Sequence, residues 1–372
     1  TCGDCDDDDA TRNPGAAVVC NQVDADCNGV IDDGAPRFLD AVALFDEDAY
    51  SDDEFGNAIA RMPDLNGDGV DEFLIGQHFS NIPLSGDQEG AVWLYDGATR
   101  TPICEANDPA GDSGDRLGDS VAPLGDVTGD TIPDFVVGVP RDDDAGSTSG
   151  SVLVFSGFGC SPVIKMIDPA PTTAGQLGAS VAGIGDINGD GIDDIAAGAP
   201  GDDTVDTNAG AVLVFSGNPV DNGLLLYRLT SPLGVASGGL GTAVLGAGLL
   251  NGDSTPDILA GEPGWQDDTG SNSSEGRVVL FSGATGAEIQ HWNVEPDSPG
   301  EQLGTSLAAV GDLNGDGVDD FAAGAPITDT AAGPNRGSVR LLSGAVTGAG
   351  AFLGVLTDSA GGQNDRFGDD VA

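Results

Sequence analysis

Residues 177–217 read LGASVAGIGDINGDGIDDIAAGAPGDDTVDTNAGAVLVFSG and contain three short apolar runs separated by turn-forming residues. The runs are residues 180–184, 194–200 and 210–215, and a fourth, less regular run follows at 224–229. Each run is rich in β-branched or small apolar side chains and is bounded by Gly, Pro, Asp or Asn, which is typical of strands and not of helices. The stretch therefore predicts four strands within about 60 residues.

The same order of runs recurs along the chain, and a Phe-Gly or Leu-Gly pair opens each unit. The pairs are Phe55-Gly56, Leu117-Gly118, Leu177-Gly178, Leu240-Gly241, Leu303-Gly304 and Phe367-Gly368. A repeat of this length with four strands per unit is typical of a β-propeller blade. The sequence thus predicts five complete units, starting near residues 55, 117, 177, 240 and 303, and the first six residues of a sixth near 367. A flat solenoid of strands is the alternative, although solenoid repeats are usually shorter.

The units resemble FG-GAP repeats, which form the seven-bladed propeller at the head of integrin α chains and of related bacterial surface proteins. The first part of the signature is Phe55-Gly56 and Phe367-Gly368, and the second part is Gly198-Ala199-Pro200 and Gly324-Ala325-Pro326. Variants of the second part are Gly138-Val139-Pro140 and Gly261-Glu262-Pro263, and the first unit departs from it with Gly76-Gln77-His78. The resemblance implies an all-β propeller of four-stranded blades over residues 36–372, truncated relative to a parent of seven blades.

The loop between the first and second strands repeats the pattern D-x-N-x-D-G-x-x-D, which spaces oxygen donors as calcium loops do. In the third unit the side-chain donors at positions 1, 3, 5 and 9 are Asp186, Asn188, Asp190 and Asp194, and the backbone carbonyl of Ile192 is the donor at position 7. Alternate residues converge because the chain coils around the ion, and glycine at position 6 permits the sharp turn.

Three other units carry comparable donor sets, and the fourth unit does not. The sets are Asp64, Asn66, Asp68, Val70 and Glu72 in the first unit, Asp126, Thr128, Asp130, Ile132 and Asp134 in the second, and Asp312, Asn314, Asp316, Val318 and Asp320 in the fifth. The second unit has Thr131 where the pattern has glycine. In the fourth unit Leu249 takes position 1 and leaves Asn251, Asp253 and Asp257, so we expect a weak or empty site there.

Calcium is the ion that these loops favour, and we expect several ions per chain. Carboxylate-rich, all-oxygen loops suit Ca²⁺, whereas Mg²⁺ requires a tighter octahedral shell with more water. Two His and two Met in the whole chain argue against a soft transition-metal site in the repeats. The alternative is that the Asp and Asn side chains only form Asx-turns at hairpin tips.

Residues 1–35 form a separate Cys/Asp-rich segment. With few apolar side chains for a core, Cys2, Cys5, Cys20 and Cys27 are expected to form disulfides in one of three pairings, and a Cys-ligated zinc site is the alternative. The segment resembles a MopE-like metal-binding motif of bacterial secreted proteins, akin to thrombospondin type 3 repeats. Although copper is associated with that family, the segment lacks Met and His. We therefore expect calcium, and a solvated acidic linker is the alternative. Its candidate ligands are Asp24, Asp26, Asn28 and Asp32.

The charge of the chain excludes several partners. With 62 acidic and 12 basic side chains the net charge is −50, so binding to nucleic acid or to an anionic membrane surface would be strongly repulsive. Asp supplies 52 of the acids, and Asp is the short carboxylate favoured in tight metal-binding loops. A hydrophobic fraction of 39% in regular runs argues against disorder.

The sequence carries no nucleophile-and-base constellation or catalytic motif, so we expect a protein that is not an enzyme. We expect a calcium-binding, extracellular, cell-surface or secreted scaffold that binds another protein or a glycan and forms part of a larger polypeptide. The variable connections at 140–149, 200–208, 263–275 and 326–336 are the expected recognition loops. An accessory propeller of a secreted, phospholipase-like hydrolase and a structural surface-layer spacer are the alternatives.

Overall fold

A computed structural model describes residues 54–80, 89–232, 234–266, 274–293, 300–329, 334–346, 350–358 and 364–372. The N-terminal Cys/Asp-rich segment, with its four candidate ligands and four cysteines, lies outside the described residues. Across the described part, none of the helices has the length and apolarity needed to cross a membrane.

Within the described ranges, the regular structure consists of twenty strands and one short 3-10 helix at Pro219–Asp221. The strands are β1 Ile59–Arg61, β2 Phe73–Gln77, β3 Ala91–Tyr95, β4 Pro102–Ala106, β5 Ser120–Pro123, β6 Phe135–Val139, β7 Ser151–Phe155, β8 Pro162–Ile167, β9 Ser180–Gly185, β10 Asp194–Ala199, β11 Ala211–Phe215, β12 Leu225–Leu229, β13 Val244–Gly248, β14 Asp257–Glu262, β15 Arg277–Phe281, β16 Glu288–Asn293, β17 Leu307–Gly311, β18 Asp320–Ala325, β19 Ser338–Leu342 and β20 Phe352–Leu356. The four runs predicted between residues 180 and 229 are β9 to β12, which confirms the strand prediction.

The strands form five antiparallel sheets of four strands. In each sheet the strands lie side by side in chain order, as β1-β2-β3-β4 do in the first. In such a meander the first and third connections lie at one end of the sheet. The second connection, and the link to the next sheet, lie at the opposite end. The candidate metal loops and the variable loops are therefore at opposite ends of each sheet.

The core lies between successive sheets. Each of four hydrophobic clusters joins one sheet to the next, and the first strands of neighbouring sheets contact each other. In β10, Ile195 and Ala197 pack toward the second sheet, while Ala196 packs toward the fourth. The middle strands are thus mostly apolar along their length, because both of their faces are buried.

The two glycine signatures meet at the seams between sheets. In the third unit the N–H of Gly178, whose φ is +89°, donates to the carbonyl of Gly198 at 2.9 Å. A Cβ atom on Gly198 would lie 1.9 Å from the carbonyl oxygen of Gly241, the glycine that opens the next unit. Leu240 also forms a parallel bridge with Gly210. The signature therefore marks the positions where two backbones approach too closely for any side chain.

The seam also forms at the fifth sheet, where Phe367 bridges Gly337 and Gly324 lies against Gly368. The start of the sixth unit is therefore docked in the same manner as the preceding ones. None of the four hydrophobic clusters joins the first sheet to the fifth within the described ranges, so the five sheets form an open series.

Candidate metal-binding loops

The candidate metal loop occupies the first hairpin of each sheet. Its first residue follows the end of the first strand, and its ninth residue stands at or just before the second strand, as Asp194 does at the start of β10. The turns between the third and fourth strands lie at the same end, and the N–H of Gly217 in such a turn donates to Asp194 at 3.2 Å. The loop is thus held both by the hairpin of the first and second strands, to which it belongs, and by the hairpin of the third and fourth strands of the same sheet.

The aspartate at position 1 holds the loop together from within. In the third unit the Asp186 carboxylate accepts the N–H groups of Gly189 at 2.6 Å, Asp190 at 3.2 Å and Gly191 at 2.8 Å. The equivalent carboxylates Asp64, Asp126 and Asp312 accept the same three N–H groups of their own loops. These bonds lower the pKa of Asp64 and Asp312, with the N–H of Gly69 and of Gly317 respectively as the main cause. Both carboxylates therefore remain ionised.

Positions 3 and 5 form consecutive Asx-turns. Asn188 Oδ1 accepts the N–H of Asp190 at 2.9 Å, and Asp190 Oδ1 accepts the N–H of Ile192 at 2.9 Å. The Asn188 side-chain amide donates to Asp194 at 3.1 Å, which links position 3 to position 9. In the second unit Thr128 takes position 3 and donates to Asp126 at 3.4 Å instead.

The carboxylate at position 9 is buried in every unit. Asp194 has no exposed surface, and it accepts the N–H groups of Ile187 at 2.9 Å and Asn188 at 3.2 Å in addition to that of Gly217. Burial raises the pKa of Asp194 to about 6, and repulsion from Asp190 acts in the same direction. Burial raises the pKa of its counterparts as well, which are Glu72, Asp134 and Asp257.

The charges in these loops favour the binding of a cation. A buried carboxylate and a second carboxylate four residues earlier repel each other, and a divalent ion between them removes that repulsion. The donor set is oxygen only, which fits Ca²⁺. The structure does not draw the side chains into a finished shell, however. Within the described ranges no three acidic, His or Cys side chains meet as a metal cluster.

The fourth loop differs from the others at the positions where its sequence departs. Leu249 at position 1 is 59% exposed, so the N–H groups that an aspartate caps elsewhere lack that acceptor. The Asx-turns at Asn251 and Asp253 and the buried Asp257 are retained. Position 1 is thus the part of the site that this unit has lost.

Strain marks the second loop. Thr131 at position 6 has a φ of +76°, and the glycines at this position in the first, third and fifth loops have φ between +86° and +88°. A β-branched residue strongly disfavours this conformation. The N–H of Thr131 still donates to Asp126 at 2.7 Å, so the loop keeps its shape at the cost of strain.

At the opposite end, ion pairs that the sequence analysis missed join consecutive sheets. Lys165 on β8 lies 2.7 Å from Asp142 in its own unit and 3.1 Å from Asp108 in the preceding unit. Arg228 on β12 contacts Asp202 and Asp168 in the same relationship one unit later. The four carboxylates are buried. The common spacing of about 60 residues between these pairs was the available signal.

Two more contacts join the first and second sheets. Cys104 on β4 forms a disulfide with Cys160 in the β7–β8 connection. His78, at the position of the GAP proline, lies 3.0 Å from Glu54 and 2.8 Å from Asp119 of the next unit. Its place between two carboxylates is that of a structural bridge across the seam.

Comparisons with known proteins agree with this architecture. The FG-GAP repeat family model matches residues 177–215 and 303–342, and the Cu-binding MopE model, a metal-binding motif, matches residues 4–33. Integrin alpha pat-2 of Caenorhabditis elegans is 30% identical over 267 residues, which are 63% of this chain and 20% of that protein. Human integrin alpha-11 is 33% identical over 161 residues, 40% of this chain and 12% of that protein.

Chicken integrin alpha-V is 29% identical over 177 residues, which are 47% of this chain and 16% of that protein. The chain thus spans about a fifth or less of the length of these curated relatives. The family matches, the integrin α relatives and the five four-stranded sheets confirm that the chain carries FG-GAP repeats folded as β-propeller blades, preceded by a segment similar to the MopE metal-binding motif.

Proposed function

We propose that the chain is a calcium-binding, extracellular propeller that serves as an adhesion scaffold. The ions bind in the first hairpins of the first, second, third and fifth units, through the side chains at positions 1, 3, 5 and 9 and the carbonyl groups of Val70, Ile132, Ile192 and Val318. A bound ion neutralises the loop carboxylates and fixes each hairpin to its sheet. The N–H groups that the position-1 carboxylate accepts already hold the loop in a tight turn, as those of Gly189, Asp190 and Gly191 do around Asp186.

The observation that carries the metal assignment is the buried carboxylate at position 9 facing the carboxylate at position 5. Asx-turns alone would need positions 1, 3 and 5, but they give no reason to bury a third acid, at position 9, beside them. Burial raises the pKa of Asp194 to about 6, and Asp190 adds repulsion, so the arrangement is unfavourable without a cation. A calcium ion would compensate this cost in the first, second and third loops, where burial raises the pKa of the position-9 carboxyl.

Calorimetric titration of the chelator-treated full chain tests the assignment. With dissociation constants of about 10⁻⁴ to 10⁻³ M, as in extracellular modules, millimolar calcium should raise the melting temperature by several degrees. Asp186→Ala should lower the number of bound ions by one and reduce the calcium-dependent shift. A chain without binding heat, and with equal melting temperatures in calcium and chelator, would exclude calcium sites in the repeats.

For the N-terminal segment we likewise propose calcium, although the matching model carries a copper name. Residues 1–34 contain neither His nor Met, and carboxylate and amide oxygens are hard donors that suit Ca²⁺ better than copper. Deletion of residues 1–35 from the chain should remove calcium sites and leave copper uptake unchanged. A copper stoichiometry that falls with the deletion would assign copper instead.

The recognition surface that we propose is the end opposite the metal loops, formed by the second connections of the sheets. These connections vary in length and sequence on a regular scaffold, which is where binding residues usually lie. The named relatives are integrin α chains, which supports an adhesion role for the same scaffold. The partner that we expect is an extracellular protein or a glycan.

Binding to a panel of immobilised extracellular-matrix proteins and to a glycan array tests this role. Replacement of residues 203–207 by a Gly-Ser linker should abolish the strongest signal, while replacement of the exposed turn at residues 98–100, at the metal-loop end, should leave it intact. Equal loss from both replacements would contradict the assignment of the surface.

A further inference from the structure

One hydrogen bond connects the metal loops of neighbouring sheets. The N–H of Gly125 in the second unit donates to Asp193 Oδ2 in the third unit at 3.1 Å. Gly125 immediately precedes Asp126, the first candidate ligand of its loop. Asp193 stands between Ile192 and Asp194, the last two candidate ligands of the other loop. The bond therefore joins the start of one candidate site to the end of the next.

The two loops are also in close contact around this bond. A Cβ atom on Gly125 would lie only 2.6 Å from Asp193 Oδ2, so any other residue would displace the Asp193 carboxylate from this position. The side chain of Ile192 packs against the cluster that contains Leu124 and Val127, which flank the start of the second loop. A movement of the backbone at residues 192–194 would thus be transmitted to Asp126 by the hydrogen bond from Gly125 and by the apolar contact of Ile192.

The other seams lack this connection. At the seam between the first and second units, Pro63 takes the position of Gly125 and has no N–H group to donate. Pro133 takes the position of Asp193 and has no carboxylate to accept the bond. Between the third and fourth units, Gly185 faces the ring of Pro256. Gly248 and Asp319 repeat the Gly–Asp pair at the last seam, but both line a cavity of about 180 Å³ that also borders Leu249. The second and third loops are therefore the pair that this hydrogen bond joins.

We propose that Asp193 is a positioning residue through which ion binding at the third loop strengthens ion binding at the second. This inference rests on the proposed calcium binding. Ligation by Ile192 and Asp194 fixes the backbone on both sides of Asp193, which then holds the Gly125 N–H and with it the approach to Asp126. A loop that is already ordered loses less conformational entropy when it binds its ion. By linkage, an ion at the second loop strengthens the third equally.

Calcium titration of the full chain followed by hydrogen exchange and mass spectrometry reads each loop separately. Peptides that cover residues 126–134, 186–194 and 64–72 report the calcium midpoints of the second, third and first loops. Emptying the third loop with Asp186→Ala should raise the midpoint of the second by about fivefold or more and leave that of the first unchanged. In an Asp193→Ala background, Asp186→Ala should no longer shift the second loop.

The conservative variant separates the hydrogen bond from the charge. Asp193→Asn keeps an acceptor for the Gly125 N–H and should retain the coupling, whereas a coupling that depended on the charge of the carboxylate would be lost in both variants. A midpoint of the second loop that is identical in the parent chain and in Asp186→Ala would overturn the proposal.

Exchange in chelator keeps the test independent of calcium. Without metal, Asp193→Ala should speed exchange in residues 125–134, while Asp319→Ala should leave residues 248–257 unchanged. If no loop gained protection from calcium, the calcium assignment would fail, and the coupling of ion sites with it. The chelator comparison would then still decide whether Asp193 holds the second loop.

Discussion

The hydroxyl group of Ser180 donates a 2.8 Å hydrogen bond to the carbonyl of Gly241, and thereby ties the third sheet to the glycine that opens the fourth unit. Ser120 and Ser306 make the same bond to Gly178 and Gly368, at 2.8 and 3.2 Å. The fourth unit has Ala243 at this position, so its seam lacks the hydroxyl donor. Each of these carbonyl oxygens lies at a point where the backbones approach most closely.

Ser180→Ala should lower the free energy of unfolding by about 1 kcal/mol, since it removes the donor from a carbonyl at a closed seam. Ala243→Ser should have the opposite effect at the next seam, where the new hydroxyl group could donate to the carbonyl of Gly304. The two seams have the same geometry. The carbonyl oxygen of Gly304 lies 1.9 Å from a Cβ built on Gly261, and that of Gly241 lies 1.9 Å from a Cβ built on Gly198. Melting temperatures of the two variants measure this. A neutral result for both would mean that the serine hydroxyl adds nothing to the seam.

Thr131 should be replaceable by a residue that tolerates positive φ. Thr131→Gly relieves the strain at a φ of +76°, offset in part by the greater freedom of glycine in the unfolded chain, and should stabilise the protein by up to about 1 kcal/mol. The matched control is Gly191→Thr in the third unit, which should destabilise it by about 1 to 2 kcal/mol. Chemical denaturation compares the two, and a destabilising Thr131→Gly would show that the loop stores no strain there.

Arg228 should matter far more to stability than an exposed arginine. Arg228→Met leaves the buried carboxylates of Asp168 and Asp202 without their cation and should cost about 3 kcal/mol. Arg228→Lys should recover most of the loss, because Lys165 fills the same position one unit earlier. Arg61→Met, which breaks the exposed pair with Asp71, should cost less than about 1 kcal/mol. Similar melting temperatures for Arg228→Met and Arg61→Met would contradict the stabilising role of Arg228 between the second and third sheets.

The apolar runs and the recurring glycine pairs allowed the strands and the units to be predicted, and the structure shows why the pairs recur, since the close backbone approach at each seam leaves only glycine possible. The ion pairs of Lys165 and Arg228 could not be predicted in this way. Their partners lie 23 to 60 residues away, and although the two sets recur about 60 residues apart, that spacing alone does not show which of the 52 aspartates are buried. The metal loops were recognisable from side-chain spacing, but the burial of position 9 depends on the adjoining hairpin, which only the folded sheet supplies.

Stability should fall with rising pH through the titration of Asp115. Burial raises the pKa of this carboxyl to about 6 from an unfolded value of 3.8, and the charge of Asp142 adds to the shift. Because the folded chain binds the proton more tightly than the unfolded chain, the free energy of unfolding decreases between about pH 4 and pH 6. The loss attributable to this group is at most about 3 kcal/mol, because a tenfold difference in proton affinity between the folded and the unfolded chain is worth about 1.4 kcal/mol.

Asp115→Asn isolates that contribution. The amide oxygen of asparagine can still accept the N–H of Asp112, which now donates to Asp115 at 2.6 Å. The variant should match the parent chain near pH 4 and exceed its stability above pH 6, in denaturation curves measured in chelator. A stability difference between variant and parent that does not change with pH would refute the raised pKa.

Leu249→Asp should restore a calcium site to the fourth loop. This loop keeps Asn251, Asp253 and the buried Asp257, and its position-1 side chain is 59% exposed, so a carboxylate can be introduced there without desolvation. The new aspartate would accept the loop N–H groups as Asp186 does, and would add the missing oxygen donor. The number of calcium ions bound in a calorimetric titration should therefore rise by one.

Leu249→Asn controls for the loss of the exposed leucine, since it supplies a capping oxygen without the charge and should bind calcium more weakly. Ser254 at position 6 does not adopt positive φ, unlike Gly191, so Ser254→Gly combined with Leu249→Asp should tighten the new site further. If the double variant binds no additional ion, then an aspartate at position 1 and a glycine at position 6 are together insufficient to complete the site, and the ligand set proposed for the other four loops would have to be revised.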